Sequence, residues 1–163
     1  MLKFTFTPSL HWGRFVALIS VFDTLLFFMC MIASLIVFGG LSKSAFLGAD
    51  FRVYTYFDKN PIKIADDYQL WRLITPTVLH TGLSHLISNV CVTLVFGSLL
   101  EALVGFRHTL MIYFISGIGG NLFSSFCNPG SISIGASTCI NGMLTGLLAL
   151  LVINWNAFNG NQQ

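Results

Sequence analysis

The stretch TVLHTGLSHLISNVCVTLVFGSLL, residues 77–100, determines the class of fold because it is apolar and long enough to cross a membrane. A helix of about 20 residues spans a hydrocarbon core of about 30 Å. The same stretch carries His80, His85 and Asn89. Polar side chains are costly in hydrocarbon, so their presence in this run predicts a functional site within the membrane.

The composition of the whole chain is that of an integral membrane protein. Of its 163 residues, 55% are hydrophobic and 9% are charged, whereas roughly a quarter are charged in an average soluble domain. Because unsatisfied backbone groups are not tolerated in lipid, membrane segments are expected to be helices, and strict strand alternation is absent from the sequence. The predicted fold class is an all-α membrane bundle. Its four transmembrane helices are predicted at 15–41, 77–100, 108–127 and 137–155.

Charge and cysteine usage exclude several function classes. The net charge of +2 is small and the basic residues form no patch, so nucleic-acid binding is not expected. The four cysteines lie in or beside apolar segments without metal-ligand spacing, which is typical of small buried hydrophobic residues. They are Cys30, Cys91, Cys127 and Cys139. The sequence therefore predicts no disulfide framework, no metal site and no other cofactor.

The first 22 residues contain the basic or titratable residues Lys3, His11 and Arg14 and no acidic residue. Such a segment is compatible with a mitochondrial targeting sequence, which would direct the protein to the inner membrane. It is equally compatible with the basic flank of a first membrane helix. A cleaved secretory signal fits poorly, because the apolar core of a signal peptide has about 7–15 residues and this run is longer. We expect a multi-pass membrane protein, in the mitochondrial inner membrane or in another membrane.

The loop after the first segment, residues 42–76, holds most of the charged residues and many aromatic ones. Tyrosine and tryptophan place an apolar body and a polar tip at the level of the lipid headgroups. The loop is therefore predicted to lie along the membrane interface; the alternative is a loop packed on its own residues in water. The aromatic residues are Phe46, Phe51, Tyr54, Tyr56, Phe57, Tyr68 and Trp71.

His85 and Asn89 are four residues apart and share one face of the predicted second helix. On the same helix His80 would be rotated from His85 by about 140°. An imidazole and a carboxamide side by side can stabilise a developing oxyanion if a nucleophile lies opposite them. The alternative is that the pair only forms hydrogen bonds between packed helices.

Ser137 follows the small residues Gly135 and Ala136 and begins the last apolar segment. At a helix N-terminus its hydroxyl and its free backbone amide would both lie where negative charge is favoured. This position suits a serine nucleophile, and the alternative is an ordinary N-cap serine. Gly142 and Gly146 predict a close helix contact on the same segment.

Asp23 lies inside the first apolar segment, where an ionised carboxylate is expensive. The carboxylate is expected to be stabilised by water at the membrane interface, or by a partner in another helix or subunit. A channel or transporter built around Asp23 and His80 is a further alternative. It has little support, because no inverted repeat or pair of broken helices is visible in the sequence.

Several short motifs occur along the chain in a characteristic order. They are Trp71-Arg72, Thr75-Pro76, the run His80-x4-His85-x3-Asn89, Gly97 with Glu101, Gly105-Phe106-Arg107, Ser116-Gly117, and Gly135-Ala136-Ser137 with Gly142. Together they strongly resemble the rhomboid family of intramembrane serine proteases, over about residues 71–150. In that family a six-helix core cuts single-pass membrane substrates with a serine on the fourth helix and a histidine on the sixth.

The resemblance implies a role for each matching residue. Ser137 takes the position of the nucleophile, and His85 and Asn89 take the oxyanion positions. Trp71 and Arg72 match a structural motif of the first loop. Glu101 matches a structural charge that follows the second helix.

The sequence departs from the family pattern at three places. Thr138 stands where the family has glycine, Asn141 stands where an aromatic residue packs on the catalytic histidine, and the sequence ends at Gln163 before a fifth and sixth helix. A serine hydroxyl is a poor nucleophile without an adjacent base. The expectation is a single truncated rhomboid-like domain over 1–163, inactive as given and with a vestigial site.

In this interpretation the chain contacts lipid and binds other transmembrane helices, as a subunit of a membrane complex. The alternative is an active intramembrane serine endopeptidase that cleaves transmembrane substrates. That activity requires the missing histidine to come from a longer product or from another chain.

Overall fold

The computed structural model describes residues 14–42 and 46–155. Lys3 and His11 of the basic N-terminal segment lie outside the described residues, and so does Lys43 of the long loop. The prediction of an address at the N-terminus therefore stays a prediction.

The described residues form an all-α bundle, which confirms the predicted fold class. The helices are α1 (Phe15–Phe38), α2 (Pro61–Asp66), α3 (Leu83–Val92), α4 (Ser98–Val104), α5 (Phe106–Cys127) and α6 (Ser137–Ile153). A π-helical turn at Thr93–Gly97 joins α3 to α4, and short 3-10 helices occur at Phe51–Val53, Leu70–Leu73 and Thr75–Val78. Two short strands, β1 (Leu41–Ser42) and β2 (Gly48–Ala49), pair antiparallel with Leu41 opposite Ala49.

Three of these helical segments are long and apolar enough to cross a membrane. They are α1, the continuous segment Leu83–Val104 made of α3, the π turn and α4, and α5. The fourth apolar helix, α6, is shorter, with 17 residues. Each of the four regions for which the sequence predicts a membrane helix contains a helix.

The helix ends differ from the predicted ones for local reasons. The second membrane helix begins at Leu83 and not at residue 77, because Leu79 and Gly82 have extended backbone. It ends at Val104, where Gly105 has a φ of 82° and separates α4 from α5. Likewise α1 ends at Phe38, because Gly39 takes the left-handed conformation and donates its N–H to the Leu35 carbonyl.

Small residues allow the membrane helices to approach closely. α5 and α6 run antiparallel, and a Cβ on Gly142 would collide with the Ser116 side chain. On the second membrane helix, a Cβ on Gly97 would lie 2.7 Å from Val16 and 3.2 Å from the sulfur of Met143. The predicted close contact through Gly142 is confirmed, and Gly97 is the point where α1, α6 and the π turn meet.

Not every buried position expected from the sequence is buried. Cys139 lies in the core, whereas Cys91 and Cys127 are exposed on the outside of the bundle. Asp23 lies on the inner face of α1, between Ile19 and Phe27, and its Oδ1 has no hydrogen-bond partner among the described residues. The Asp23 side chain is therefore largely buried within the bundle.

Glu101 closes the N-terminus of α1. Its two carboxylate oxygens accept hydrogen bonds from the backbone N–H groups of Phe15, at 2.8 Å, and Val16, at 3.1 Å. These N–H groups have no partner within the helix, and a negative charge beside them also interacts favourably with the helix dipole. The structural charge implied by the family resemblance is thus a capping residue supplied by another helix.

We expect Glu101→Ala to destabilise the protein by about 2 kcal/mol, because it leaves two buried N–H groups without an acceptor. Glu101→Gln keeps one carbonyl acceptor and should lose less. Thermal unfolding in a mild detergent measures both. Asp66→Ala, which removes an exposed carboxylate, is the control; a Glu101→Ala melting temperature equal to this control would contradict the capping role.

Candidate active site

The long loop is organised around the buried side chain of Arg72. Its Nη1 donates to the Asp58 carboxylate at 2.5 Å and to the carbonyl oxygens of Asp58 and Thr55, both at 3.0 Å, while its Nε donates to Gln69 at 2.7 Å. Burial raises the pKa of Asp58, and the charge of Arg72 acts in the opposite direction. The guanidinium thus satisfies carbonyls that have no partner in regular structure.

Trp71 holds the outer side of the same loop. Its ring stacks on Tyr56 with 5.7 Å between the ring centroids, and its indole N–H donates to the Tyr56 carbonyl at 3.2 Å. Trp71 and Arg72 therefore fold the loop from two sides, which is a structural role.

The loop is joined directly to the segment that precedes Ser137. The backbone of Lys59 exchanges two hydrogen bonds with Ser133, at 2.9 and 3.2 Å. Closer to Ser137, the Gly135 N–H donates to the Pro76 carbonyl at 3.0 Å. Two backbone contacts therefore hold the chain that leads into α6.

His85 packs on the backbone of Gly135. A Cβ at this position would lie 2.6 Å from the Cε1 of His85 and 2.9 Å from its Nε2, and the φ of Gly135 is 144°, a conformation that favours glycine. His85 and the segment that carries Ser137 therefore meet two residues before the serine, at a residue that has to be glycine.

Ser137 is the first residue of α6, and Ala136 is the N-cap. The Ser137 side chain is exposed and its hydroxyl makes no hydrogen bond with the described residues, so it does not cap the helix. Its backbone N–H is one of the amides without a helical partner at a helix start. This geometry leaves the hydroxyl accessible for chemistry.

Two more polar side chains lie near His85. The Nδ2 of Asn89, one turn further along α3, is buried and has no hydrogen-bond partner among the described residues. The His80 ring lies edge-on to His85 with 5.4 Å between the ring centroids. The predicted rotation of 140° between the two histidines is wrong, because His80 precedes α3 and is not helical.

His80 is the most enclosed of these groups. It is fully buried, and neither ring nitrogen has a partner among the described residues. Burial, together with the neighbouring His85, lowers the pKa of His80 to about 4, so its ring is neutral at pH 7. Its carbonyl oxygen accepts a hydrogen bond from Tyr54 at 2.8 Å.

The remaining described histidine, His108, lies away from the serine. His108 lies at the start of α5, and its Nδ1 is 2.8 Å from the carbonyl oxygen of Val104, the last residue of α4. Because α5 and α6 are antiparallel and Gly120 faces Thr138, His108 is about 18 Å further along the helix. His85 contacts the segment ahead of Ser137 at Gly135.

Thr138, which replaces the glycine of the family pattern, is accommodated by α5. A Cβ on Gly120 would lie 3.1 Å from the Thr138 methyl carbon, so the absence of a side chain on α5 provides space for the added one on α6. The Thr138 hydroxyl is buried without a partner among the described residues. Asn141, the second departure, is exposed.

The described residues form no cluster of three or more His, Cys, Asp or Glu side chains that could hold a metal ion. The candidate site therefore consists of a serine hydroxyl at a helix start, an imidazole and a carboxamide. Groups of this kind act in nucleophilic acyl transfer.

The fold and the site are those of a polytopic membrane protein with a serine at the start of a core helix. The chain matches the family model of the Rhomboid domain over residues 67–162. It belongs to the rhomboid family, and it is an integral membrane protein.

Three relatives illustrate the range of the family. The chain is 38% identical over 96 residues to RHOMBOID-like protein 6, mitochondrial, of Arabidopsis thaliana, covering 59% of this chain and 31% of that protein. It is 29% identical over 153 residues to Rhomboid-like protease 3 of Toxoplasma gondii, covering 94% and 54%. It is 32% identical over 96 residues to Inactive RHOMBOID-like protein 8 of Arabidopsis thaliana, covering 59% and 27%. The chain thus spans between about a quarter and about half of the length of these relatives. No solved structure matches the chain.

We expect Gly135→Ala to destabilise the protein by about 2 kcal/mol or more, because the backbone conformation is strained for alanine and the new Cβ would collide with His85. Gly130→Ala is the matched control in the same loop, since its Cβ would meet no atom within 4 Å. Thermal unfolding of the two variants in detergent compares them. Equal melting temperatures would contradict the close packing of His85 on this loop.

Proposed function

We propose that this chain is a rhomboid-like membrane protein that does not cleave peptide bonds by itself and that binds other transmembrane helices as a subunit of a membrane complex. The main support is the position of His85. It is packed between Gly135 and His80, and no hydrogen bond joins it to the Ser137 hydroxyl within the described residues. In this proposal Ser137, His85 and Asn89 are the remains of a protease site.

The chemical reason is the requirement of serine for a base. A hydroxyl becomes a competent nucleophile only when a neighbouring group takes its proton. Removing the base or the serine from a serine protease lowers turnover on the order of 10^6-fold. If His85 serves as an oxyanion donor, as the family resemblance implies, it is not free to act as that base. The departures at Thr138 and Asn141 agree with a site that has lost its chemistry.

The outer surface of the bundle fits contact with lipid and with other helices. α5 presents exposed apolar side chains along most of its length, and α6 presents them over its last two turns. Lipid covers such faces, and in membranes the same faces associate with partner helices through packing. Among these side chains are Met111, Ile115, Leu122, Phe123, Leu148 and Val152.

The second candidate function is intramembrane serine endopeptidase activity on transmembrane substrates, with the base supplied by another segment or another chain. Two observations favour it: the Ser137 hydroxyl is exposed, and the Asn89 amide has no hydrogen-bond partner among the described residues. One relative that aligns with 94% of the chain bears the name of a protease.

The two candidates predict different reactivity of Ser137. We expect the chain, isolated in mild detergent, to form no fluorophosphonate adduct at Ser137 above the level of Ser137→Ala, and to elute together with a partner membrane protein. The adduct is located by mass spectrometry of the cleaved chain. An adduct at Ser137, with cleavage of a transmembrane peptide that Ser137→Ala abolishes, would establish the protease. A lone stable monomer without activity would contradict the subunit role.

We also propose that the loop between α1 and α3 lies in the membrane interface. Its core is packed around Arg72, but several of its aromatic side chains are turned outward. Such side chains are favoured at the level of the lipid headgroups. The exposed aromatic residues of the loop are Phe46, Phe51, Tyr56, Phe57, Tyr68 and Trp71.

The fluorescence of Trp71 tests this placement. In a chain that carries Trp12→Phe and Trp155→Phe, lipids brominated near the headgroup should quench Trp71 more strongly than lipids brominated near the chain end. Unbrominated lipids are the control. Quenching that does not differ from the unbrominated control would place the loop in water.

A further inference from the structure

Lys59 is a buried cation that forms no ion pair with the described residues. Its side chain and backbone are 1% exposed, and its Nζ donates to the Ser124 hydroxyl at 2.6 Å. The carboxylate next to it in the chain, on Asp58, is engaged by Arg72. The ion pairs among the described residues are Arg52 with Asp50, Lys63 with Asp67 and Arg72 with Asp58, and none involves Lys59.

Burial favours the neutral form of this amine. A charged group that is removed from water without an opposite charge pays a large desolvation penalty, and burial lowers the pKa of Lys59. A neutral amine accepts a proton, which is why desolvated lysines act as general bases. The two backbone hydrogen bonds with Ser133 hold Lys59 in place.

Ser124 is the more accessible member of the pair. It lies in the last turn of α5 and is half-buried, while its neighbours Phe123 and Phe126 are strongly exposed, Phe126 at 85%. Ile132, on the loop that follows, is exposed too. The partly buried hydroxyl therefore lies at an end of α5 whose surface is apolar, while the amine is almost fully shielded.

We propose that Lys59 and Ser124 form a second nucleophilic site, a serine–lysine pair that accepts the acyl group of an ester of an apolar acid. A nucleophile within hydrogen-bond distance of a base that other groups orient is the arrangement that covalent catalysis requires. Serine–lysine pairs are a known variant of the serine–histidine arrangement. The site uses neither Ser137 nor His85, so it is independent of the function proposed above.

The acyl transfer balances without any further reactant. The Ser124 oxygen forms a bond to the carbonyl carbon of the ester while the neutral Lys59 amine takes the hydroxyl proton. The bond from this carbon to the alcohol oxygen then breaks, and the protonated amine returns the proton to the leaving alkoxide. The products are the acyl ester of Ser124 and the free alcohol.

Two other interpretations of Lys59 make different predictions. A binding site for an anion needs space beside the amine. The burial of the Lys59 side chain argues against such a site. A mere tether between the loop and α5 needs a hydrogen-bond donor, which an arginine also supplies. An arginine, however, does not give up its proton in proteins. Lys59→Arg therefore separates a base from a tether.

The experiment uses an alkyl fluorophosphonate on the full chain in detergent. No lysine or arginine follows Arg107, so chymotrypsin, which cleaves after Phe126, is used to separate Ser124 from Ser137 before mass spectrometry. We expect an adduct on Ser124 in the wild type and in Ser137→Ala. Lys59→Arg should lower its rate of formation by at least about 100-fold, the usual size of a general-base contribution.

Ser125→Ala is the matched control, because Ser125 is the adjacent serine and donates to the Asn121 carbonyl in its own helix. It should leave the adduct on Ser124 unchanged. Absence of a Ser124 adduct in the wild type would overturn the proposal, and this result needs no variant to fold. Labelling of Lys59→Arg at the wild-type rate would also overturn it, in favour of a tether. An adduct on Ser137 is detected on a different peptide and tests only the proposed intramembrane protease activity.

Discussion

The close packing of α5 against α6 is the constraint on which the rest of the site depends. Side chains larger than hydrogen are excluded at Gly117, which faces Cys139 and Thr77, and at Gly142, which faces Ser116. The contact fixes the register of α6 against α5, and Ser137 is the first residue of α6. In lipid, where hydrophobicity does not drive helices together, close packing of this kind is the main source of association.

A second constraint is the supply of hydrogen bonds to the irregular segment before α3. Backbone outside regular structure is tolerated in a membrane protein only where protein groups satisfy it. Tyr113 donates to the Thr77 carbonyl at 3.0 Å, Asn121 donates to the Leu73 carbonyl at 2.9 Å, and Tyr54 donates to the His80 carbonyl. The buried Tyr113 and Asn121 side chains of α5 are thus explained by the loop that they hold.

The sequence is sufficient to predict the helical class, the four apolar segments and the close packing of Gly142, because these follow from length, hydropathy and residue size. It does not predict where the second helix begins, since the extended backbone at Leu79 and Gly82 is imposed by contacts with distant residues, such as the bond from the Leu83 N–H to the Leu47 carbonyl. The edge-on contact of His80 with His85 is missed for the same reason. Lys59 is missed too, because nothing in the local sequence distinguishes a buried lysine from an exposed one.

The π turn at Thr93–Gly97 allows the two parts of one membrane helix to direct their side chains toward different parts of the protein. A π turn holds one residue more than an α turn, so the residues after it are out of phase by about 100° with those before it. His85 and Asn89 lie on one side of this change of phase, and Glu101 lies on the other. The first part of the helix is therefore oriented by the loop that carries Gly135, and the second part by the start of α1. The contact with the Gly135 loop and the contact with the start of α1 therefore do not have to lie on the same face of the helix.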